Sequence, residues 1–188
     1  MPPKVKVTKN DIIEISLDLI RQNGYASLNA RAIASSLGCS TQPIFSNFAT
    51  MDELFDAVLR AAADIYFAFL EKEASSEKYP RYKAFGMAYI RFAKEEKELF
   101  KLLFMRNRHG EAPSPASDFE ASVEMIMSAN GVSYETASRM HLEIWSCVHG
   151  IGTMLATSFL DLDWELISDM ISDVYYGLRA RHASEVQK

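Results

Sequence analysis

Residues 28–48, LNARAIASSLGCSTQPIFSNF, contain two short helical patterns separated by a tight turn. Asn29 is a typical N-cap for the first helix, and Gly38 ends it because glycine tolerates the backbone conformation that a tight turn requires. Ser40 is expected to cap the second helix. Pro43 falls in the first turn of that helix, where its missing N–H has no intrahelical partner to lose. The stretch therefore predicts two short helices joined by a turn.

Each of these helices has an apolar side and an outward side. The apolar residues that would lock the helices at an angle are Ile33, Leu37, Ile44 and Phe48. The polar residues left for the outward side of the second helix are Thr41, Gln42, Ser46 and Asn47. A recognition helix presents its N-terminal residues to base edges, and a glutamine can pair with N6 and N7 of adenine. The stretch is therefore interpreted as a helix-turn-helix that reads DNA.

The charge of the chain is divided unevenly between its N-terminal segment and the rest. The 188 residues have a formal net charge of −5, which by itself argues against a nucleic-acid-binding protein. Residues 1–50, however, contain five Lys or Arg and three Asp or Glu, whereas residues 51–188 carry a net charge of −7. A basic N-terminal segment is what local contact with phosphates requires, so the charge distribution agrees with a DNA-binding head.

Helical periodicity continues through the remainder of the chain, in which glycine and proline are scarce, with 8 and 6 residues in total. Apolar residues at 3.6-residue spacing, with polar breaks between them, predict nine helices and no strand. The predicted helices cover residues 8–23, 30–37, 40–48, 51–73, 80–94, 99–105, 117–129, 133–160 and 163–182. The fold class is therefore predicted to be all-α, with a small N-terminal module fused to a larger helical part.

The N-terminal segment resembles the TetR family of repressors over about residues 10–60, including the run GYASLNARAIASSLGCSTQPIFSNFATMDELFDAVL. The shared features are Gly24-Tyr25, Ile33-Ala34, Gly38-x-Ser40, an aromatic residue at 45, Phe48 and Glu53-Leu54. A second, shorter resemblance is to the W-x-x-x-H-G signature of one C-terminal subgroup, carried by Trp145, His149 and Gly150.

This resemblance implies a nine-helix architecture with two functional parts. Residues 1–50 would form a three-helix DNA-binding domain, and residues 51–188 a ligand-sensing and dimerisation domain, with the helix at 51–73 connecting them. The implied function is that of a DNA-binding transcriptional regulator, a repressor that a small, largely apolar ligand releases from its operator. The implied partners are double-stranded operator DNA, a small-molecule effector and a second copy of the chain.

The sequence departs from the family pattern at three positions. Phe45 stands where the family usually has a tyrosine whose hydroxyl binds phosphate, and Met51 stands where a phosphate-binding lysine is usual. Asn47 replaces a usual histidine and can still form hydrogen bonds. Two common phosphate contacts are therefore missing, which lowers the expected DNA affinity or moves those contacts elsewhere. The basic residues that could take them over are Lys4, Lys6, Lys9 and Arg31.

Three sets of side chains are predicted to form the functional surfaces. The predicted DNA contacts are Lys4, Lys6, Lys9, Asn29, Arg31, Ser40, Thr41, Gln42, Pro43, Phe45, Ser46 and Asn47. The predicted ligand contacts, each of which could instead be plain core, are Phe85, Tyr89, Phe92, Phe104, Phe119, Met125, Trp145 and His149. The predicted dimer contacts are Ser146, Gly150, Thr153, Thr157, Ile167, Met170, Ile171, Val174 and Leu178. Their two helices could form a four-helix bundle with a second subunit, although the small-residue stripe at 146–157 could equally face a helix of the same chain.

Other classes of function find little support in the sequence. It contains no H-E-x-x-H motif, glycine-rich phosphate loop or cysteine beside a histidine, so we expect neither an enzyme nor a cofactor. His141 and His149 are two helical turns apart without a third donor nearby, so no metal site is expected. Two isolated cysteines, no apolar leader and no membrane-spanning apolar run predict a cytoplasmic protein without a membrane partner. The alternative function is a helical adaptor or sensor that has lost strong DNA binding.

Overall fold

A computed structural model describes residues 7–75, 78–107 and 117–182. All regular secondary structure within these ranges is helical. The α-helices of the described residues are α1 (Lys9–Asn23), α2 (Ala30–Ser36), α3 (Gln42–Asn47), α4 (Met51–Ala74), α5 (Arg81–Glu95), α6 (Lys97–Phe104), α7 (Ser117–Asn130), α8 (Tyr134–Ala156) and α9 (Trp164–His182). A short 3-10 turn, Tyr25–Ser27, follows α1. The predicted all-α class is therefore confirmed.

Side-chain caps fix the starts of α1 and α2. Thr8 Oγ1 accepts a hydrogen bond from the N–H of Asp11 at 3.2 Å, and Asp11 Oδ2 accepts one from the N–H of Thr8 at 2.8 Å. This reciprocal pair is a capping box, which satisfies two N–H groups that a helix start leaves without partners. Asn29 Oδ1 accepts from the N–H groups of Arg31 and Ala32 at 3.1 and 3.0 Å, so Asn29 caps α2 as predicted.

The start of α3 differs from the prediction by one residue. Its N-cap is Thr41 rather than Ser40, which lies in the turn between α2 and α3. Pro43 is then the second residue of the helix, a position at which its missing N–H costs no intrahelical bond. The apolar side of α3 is unaffected by this shift, because Ile44 is fully buried and Phe48 is 3% exposed.

The end of α8 differs more, since the helix stops at Ala156 and not at residue 160. The N–H of Ser158 bonds to the carbonyl of Leu155 at 3.0 Å, and the N–H of Phe159 bonds to the carbonyl of Met154 at 2.9 Å. These two bonds form a Schellman motif, which requires a left-handed residue, and Ser158 has a φ of +56°. Glycine usually occupies that position, so the sequence carries no obvious signal for this stop.

The described chain divides into two compact units, which are treated separately below. The first unit comprises the described residues through Ala68 together with Glu96–Arg106. The second comprises Phe69–Glu95 and the described residues from Asn107 onward. Helix α4 therefore runs from one unit into the other, and α6 belongs to the first unit. The sequence-based boundary at residue 50 had instead assigned α6 to the ligand-sensing domain.

The core of the first unit is built from α1 and the helices packed around it. Ile12 and Ile20 of α1 are fully buried, as are Ile33 of α2 and Leu54 of α4. Helix α6 packs on α1 and buries Leu99, Phe100 and Leu102 completely. At its edge, Arg21 Nε and Nη2 donate to the two carboxylate oxygens of Glu96 at 2.9 and 3.1 Å. Helix α6 is thus an integral part of the unit that contains α2 and α3.

The core of the second unit centres on the packing of α5 against α8. A Cβ added at Gly86 would lie in ordinary van der Waals contact, 3.5 Å from a methyl group of Val148 and 3.9 Å from Ile171. Phe92 and Met140 are fully buried. Helices α7 and α9 pack on α8 as well. Among the described residues, none of the helices is both long and apolar enough to cross a membrane.

Candidate DNA-binding face, sensor residues and dimer face

The turn between α2 and α3 has the geometry that its glycine predicts. Gly38 has a φ of +63°, and its N–H bonds to the carbonyl of Ser35 at 3.1 Å. The N–H of Cys39 bonds to the carbonyl of Ala34 at 3.0 Å, which completes a Schellman motif at the end of α2. With Ile33 and Ile44 both fully buried, the two helices are fixed as a helix-turn-helix.

The outward face of α3 presents three exposed side chains, Gln42, Phe45 and Ser46. The Gln42 side chain forms no hydrogen bond within the part of the chain that the structure describes, so its amide is available for a base edge. The Ser46 hydroxyl donates to the carbonyl of Gln42 at 2.9 Å. Phe45 is 49% exposed. Thr41 and Pro43 are half-buried at the start of the helix.

Asn47, predicted to contact DNA, is held by other groups of the first unit. Its side-chain nitrogen donates to the carbonyl of Pro43 at 2.8 Å and to the carbonyl of Val7 at 3.3 Å. Both amide hydrogens are therefore committed inside the chain, and only the carbonyl oxygen is left to accept a further bond. Asn47 ties the end of α3 to the residue before the cap of α1, a role that no local sequence signal indicates.

Lys9, another predicted DNA contact, also has partners inside the first unit. Its ammonium lies 3.5 Å from Glu53 Oε1 and 4.9 Å from the centre of the Phe48 ring. Glu53 Oε2 in turn accepts from the N–H of Ala49 at 2.7 Å. The Lys9 side chain is 56% exposed, so a phosphate can reach it. Its ammonium would then interact with both the phosphate and Glu53.

The remaining predicted DNA contacts lie at the surface or outside the described residues. Asn29 and Arg31 at the start of α2 are exposed, and so is Ser40 in the turn. Asn29 uses its side-chain oxygen for the cap of α2 and its side-chain nitrogen for the carbonyl of Ser27, at 2.9 Å. Lys4 and Lys6 fall outside the described residues.

Of the eight predicted ligand contacts, one is fully buried and another is half-buried in the first unit. Phe92 is fully buried, and its ring lies edge-on to Phe69 with 5.5 Å between centroids. Phe104 belongs to the first unit, where its ring packs against Tyr66 and Phe100 at 5.1 Å each. Aromatic content alone does not distinguish a ligand pocket from a core, so a ligand contact by Phe92 or Phe104 stays a prediction.

Tyr89, Trp145 and His149 come together between α5 and α8. The Tyr89 hydroxyl lies 2.8 Å from His149 Nδ1, and the Trp145 ring stacks on the imidazole at 5.0 Å with an interplanar angle of 13°. Tyr89 is 5% exposed, whereas Trp145 is 42% exposed. Burial lowers the pKa of His149 from its ordinary value, so the neutral imidazole is favoured.

A second pair of the same kind, Tyr82 and His141, was not predicted from the sequence. The Tyr82 hydroxyl lies 2.8 Å from His141 Nδ1, and the ring of Phe119 lies edge-on to the imidazole at 5.0 Å. Burial lowers the pKa of His141, and burial followed by the neighbouring Tyr175 raises the pKa of Tyr82. The tyrosines are seven residues apart on α5 and the histidines eight apart on α8, a spacing that places each set on one helix face.

The last two predicted ligand contacts, Phe85 and Met125, are half-buried. The Arg81 guanidinium lies 5.1 Å from the centre of the Phe85 ring. Two surface grooves, of about 420 and 440 Å³, are lined by other residues: one by α1 and α4 side chains of the first unit, the other by residues around Tyr79 and Trp164 of the second. Neither groove includes a predicted ligand contact.

The predicted dimer contacts divide into two groups. Ile167, Ile171 and Leu178 are 0%, 3% and 8% exposed within a single copy of the chain, so they pack in its own core and offer no surface to a second copy. Their inclusion in the dimer face is therefore corrected. The exposed members are Ser146, Gly150 and Thr157, and the half-buried ones are Thr153, Met170 and Val174.

Large apolar side chains that were not among the predicted dimer contacts extend this surface. Leu142 and Trp145 of α8 are 56% and 42% exposed, and Leu166 of α9 is 49% exposed. Leu142 precedes Ser146 by four residues, and Leu166 precedes Met170 by four, so each continues the same face of its helix. We call the surface formed by Leu142, Trp145, Ser146, Gly150, Leu166, Met170 and Val174 the α8–α9 face.

The fold and the helix-turn-helix together are typical of DNA-binding transcriptional regulators. Family models place it further: residues 12–58 match "Bacterial regulatory proteins, tetR family", and residues 82–173 match "Tetracyclin repressor-like, C-terminal domain". The chain belongs to the TetR family, whose members combine an N-terminal DNA-binding domain with a C-terminal ligand-binding domain. The sequence-based family assignment is thereby confirmed.

Individual relatives are distant in sequence. An uncharacterized HTH-type transcriptional regulator of Mycobacterium tuberculosis is 23% identical over 182 residues, which cover 94% of this chain and 84% of that protein. A TetR-like transcriptional regulator from Rhodococcus sp. RHA1 has a TM-score of 0.68 at 12% identity, covering 93% of this chain and 96% of its own. The multidrug binding protein EbrR, solved in complex with imidazole, has a TM-score of 0.61 at 18% identity, with 88% of each chain covered.

Proposed function

We propose that the protein is a homodimeric repressor that binds operator DNA through α3 of each subunit and is released by a small, largely apolar ligand. The observation that carries the proposal is the division of α3 into two sides. Ile44 is fully buried, while Gln42, Phe45 and Ser46 are exposed on the opposite side. A short helix held in this way is built to enter a major groove with its outward residues.

The proposed roles within the DNA contact follow from the chemistry of each side chain. Gln42 reads a base edge, because its amide can pair with adenine. Arg31, which is exposed, contacts a phosphate, and Lys9 makes a weaker phosphate contact because it is paired with Glu53. Phosphate contacts set the affinity for DNA rather than the sequence preference. Asn47 acts as a positioning residue, since its two donors hold Val7 and Pro43.

The ligand is proposed to bind in the second unit, beside the two Tyr–His pairs. The rings of Phe119 and Trp145 next to these pairs favour a flat or apolar molecule, and the imidazoles supply hydrogen-bonding groups. The description of EbrR as a multidrug binding protein supports ligand binding by a chain of this fold. Because burial lowers the pKa of both His141 and His149, both imidazoles are favoured in the neutral form and bring no positive charge to the site.

The dimer is proposed to form through the α8–α9 face. Leu142, Trp145 and Leu166 expose 42–56% of their surface in one copy of the chain. Two copies related by a twofold axis would place this face against itself, and four helices would then form a bundle. A Cβ added at Gly150 would meet nothing within 4 Å, so this position faces open space. The small side chains at Ser146 and Gly150 would let a helix of the second copy approach closely. Light scattering at micromolar concentration tests this step, and a monomer would overturn it.

The proposed function is tested by selecting fragments of the host genome that the full chain binds, then titrating salt against the affinity for the selected sequence. A repressor is expected to enrich a palindromic sequence and to lose affinity steeply as salt rises, because phosphate contacts release counterions. Failure to enrich any sequence would favour the adaptor alternative. That alternative has specific support: Phe45 and Met51 lack the usual phosphate-binding groups, and Lys9 is paired with Glu53.

Ligand release has its own test, which uses linkage between the two sites. A compound that binds the second unit and releases operator DNA must bind more weakly when operator is present, by the same factor. Fluorescence of Trp145 and Trp164, both in the second unit, reports binding of the compound. Equal affinities with and without operator would overturn the release mechanism.

A further inference from the structure

The recognition helix exposes one large apolar ring whose role the proposed function leaves open. Phe45 is 49% exposed, whereas Phe48, three residues later in the chain, is 3% exposed. Phe45 has no hydroxyl and cannot bind a phosphate by a hydrogen bond. It shares the outward face of α3 with Gln42, which precedes it by three residues. An apolar ring in this place matches an apolar group on the DNA.

We propose that Phe45 reads the C5-methyl group of a thymine in the major groove. This inference rests on the proposed function, because it assumes that α3 enters that groove. Thymine is the only standard base that presents a methyl group there, and phenylalanine is a known type of contact to it. The contact removes apolar surface of both partners from water, so it is favourable without any hydrogen bond.

The spacing along α3 also predicts where this thymine lies. Three residues advance an α-helix by about 4.5 Å, and successive base pairs are about 3.4 Å apart. Phe45 and Gln42 therefore reach the same base pair or adjacent ones. A single A·T pair presents N6 and N7 of adenine together with the thymine methyl group. We therefore expect each half-site to contain A·T pairs at the position of α3.

The test replaces thymine by deoxyuridine, which removes only the methyl group. Each thymine of the selected half-site is replaced in turn, and the affinity of the full chain is measured by fluorescence anisotropy at one salt concentration. One position in each half-site should lose affinity by about three- to tenfold, the effect expected when one buried methyl group is removed.

Variants of Phe45 then assign this effect to its ring. Phe45→Ala should bind thymine and deoxyuridine operators equally, whereas Phe45→Tyr should retain the preference for thymine. Ser36→Ala, at an exposed position of α2 outside the predicted DNA contacts, is the matched control, and it should discriminate as the unaltered chain does. Because Phe45 is half-exposed, circular dichroism should show all three variants folded.

The outcomes separate this inference from the proposed function. If the chain binds a defined operator but every deoxyuridine substitution is neutral, the thymine contact is wrong and the repressor proposal stands. If Phe45→Ala still prefers thymine, another residue reads the methyl group and the inference is overturned. If no sequence is bound at all, the proposed function itself fails.

Discussion

Both units of the molecule join their helices with charged groups, and they differ in the buried polar pairs of the second unit. In the first unit, charged and strongly polar groups at the edges join the helices: Lys9 with Glu53, Arg21 with Glu96, and Asn47 with the carbonyl of Val7. The second unit also has ion pairs, Arg91 with Glu73 and Lys94 with Asp161, and in addition two Tyr–His pairs lie between α5 and α8 beside a packed core. Exposed ion pairs in either unit are expected to weaken as salt rises, whereas the Tyr–His pairs give the second unit groups that titrate near neutral pH.

The largest expected effect comes from the packed core of the second unit. Phe92→Ala should lower the free energy of unfolding by about 3–5 kcal/mol, because the ring is fully buried and its removal leaves a cavity. Urea unfolding followed by tryptophan fluorescence measures this loss, since both tryptophans lie in the second unit. Phe45→Ala, at a half-exposed position of the first unit, is the control and should change stability by no more than about 0.5 kcal/mol. Similar losses in the two variants would contradict the assignment of Phe92 to the core.

The Tyr–His pairs should make the second unit sensitive to acid. Burial lowers the pKa of His141 and His149 below the ordinary value of 6.5, so the folded chain binds fewer protons than the unfolded chain. The free energy of unfolding should therefore be fully retained above pH 6.5 and should fall as the pH drops from 6.5 toward the lowered pKa values. Urea unfolding at pH 7.5 and at pH 5.5, read by tryptophan fluorescence, measures the change.

Variants of the same pairs test the cause of this pH dependence. The double variant His141→Gln/His149→Gln cannot gain these charges, so its stability should change less between the two pH values. Tyr89→Phe removes a hydroxyl next to His149 and should cost about 1–3 kcal/mol at pH 7.5, as expected when a buried group loses a partner. An unchanged pH dependence in the double histidine variant would exclude the pairs as its source.

Asn47 offers a smaller effect that separates positioning from base reading in the first unit. Asn47→Ala removes two hydrogen bonds and should cost about 1 kcal/mol of stability. It should weaken binding to matched and mismatched DNA equally, because both hydrogens of its amide are used inside the chain. Gln42→Ala should instead reduce the difference between matched and mismatched sites, by about 1–3 kcal/mol. Anisotropy titrations on both kinds of site decide between these patterns, and a loss of specificity in Asn47→Ala would mean that it reads a base.

The features that the sequence predicted well are those encoded by neighbouring residues. The cap at Asn29, the glycine turn at Gly38 and the apolar sides of α2 and α3 all depend on spacings of four residues or fewer. The two Schellman motifs show the limit: the sequence indicated the one at Gly38, but the one at Ser158 uses a residue that seldom adopts a positive φ.

The features that the sequence could not predict depend on residues far apart along the chain. Asn47 meets Val7 across 40 residues, and Tyr82 meets His141 across 59. Phe104 belongs to the first unit only because α6 returns to α1 after the chain has passed through α5. Apolar spacing on α9 correctly indicated a helix. It could not show that Ile167 is buried and Leu166 exposed, because that depends on which helices pack against α9.

The smallest expected effect concerns the pair Arg21–Glu96, which joins α1 to the start of α6. Both side chains are partly exposed, at 35% and 25%, so their coupling should be only about 0.5–1 kcal/mol even with two parallel hydrogen bonds. Arg21 also lies 3.4 Å from Asp18, and Glu96 is the N-cap residue of α6, where a negative charge is favourable. Single substitutions therefore mix several contributions, and a double-mutant cycle with Arg21→Gln and Glu96→Gln isolates the pair.

Urea unfolding followed by circular dichroism gives the four stabilities, first in low salt and then in 1 M NaCl, where the Debye length falls to about 3 Å. We expect the coupling to decrease in high salt, while the loss caused by Phe92→Ala does not. A coupling of zero in low salt would show that the Arg21–Glu96 pair contributes nothing measurable to the stability of the first unit. The difference between the two units would then rest on the Tyr–His pairs of the second unit.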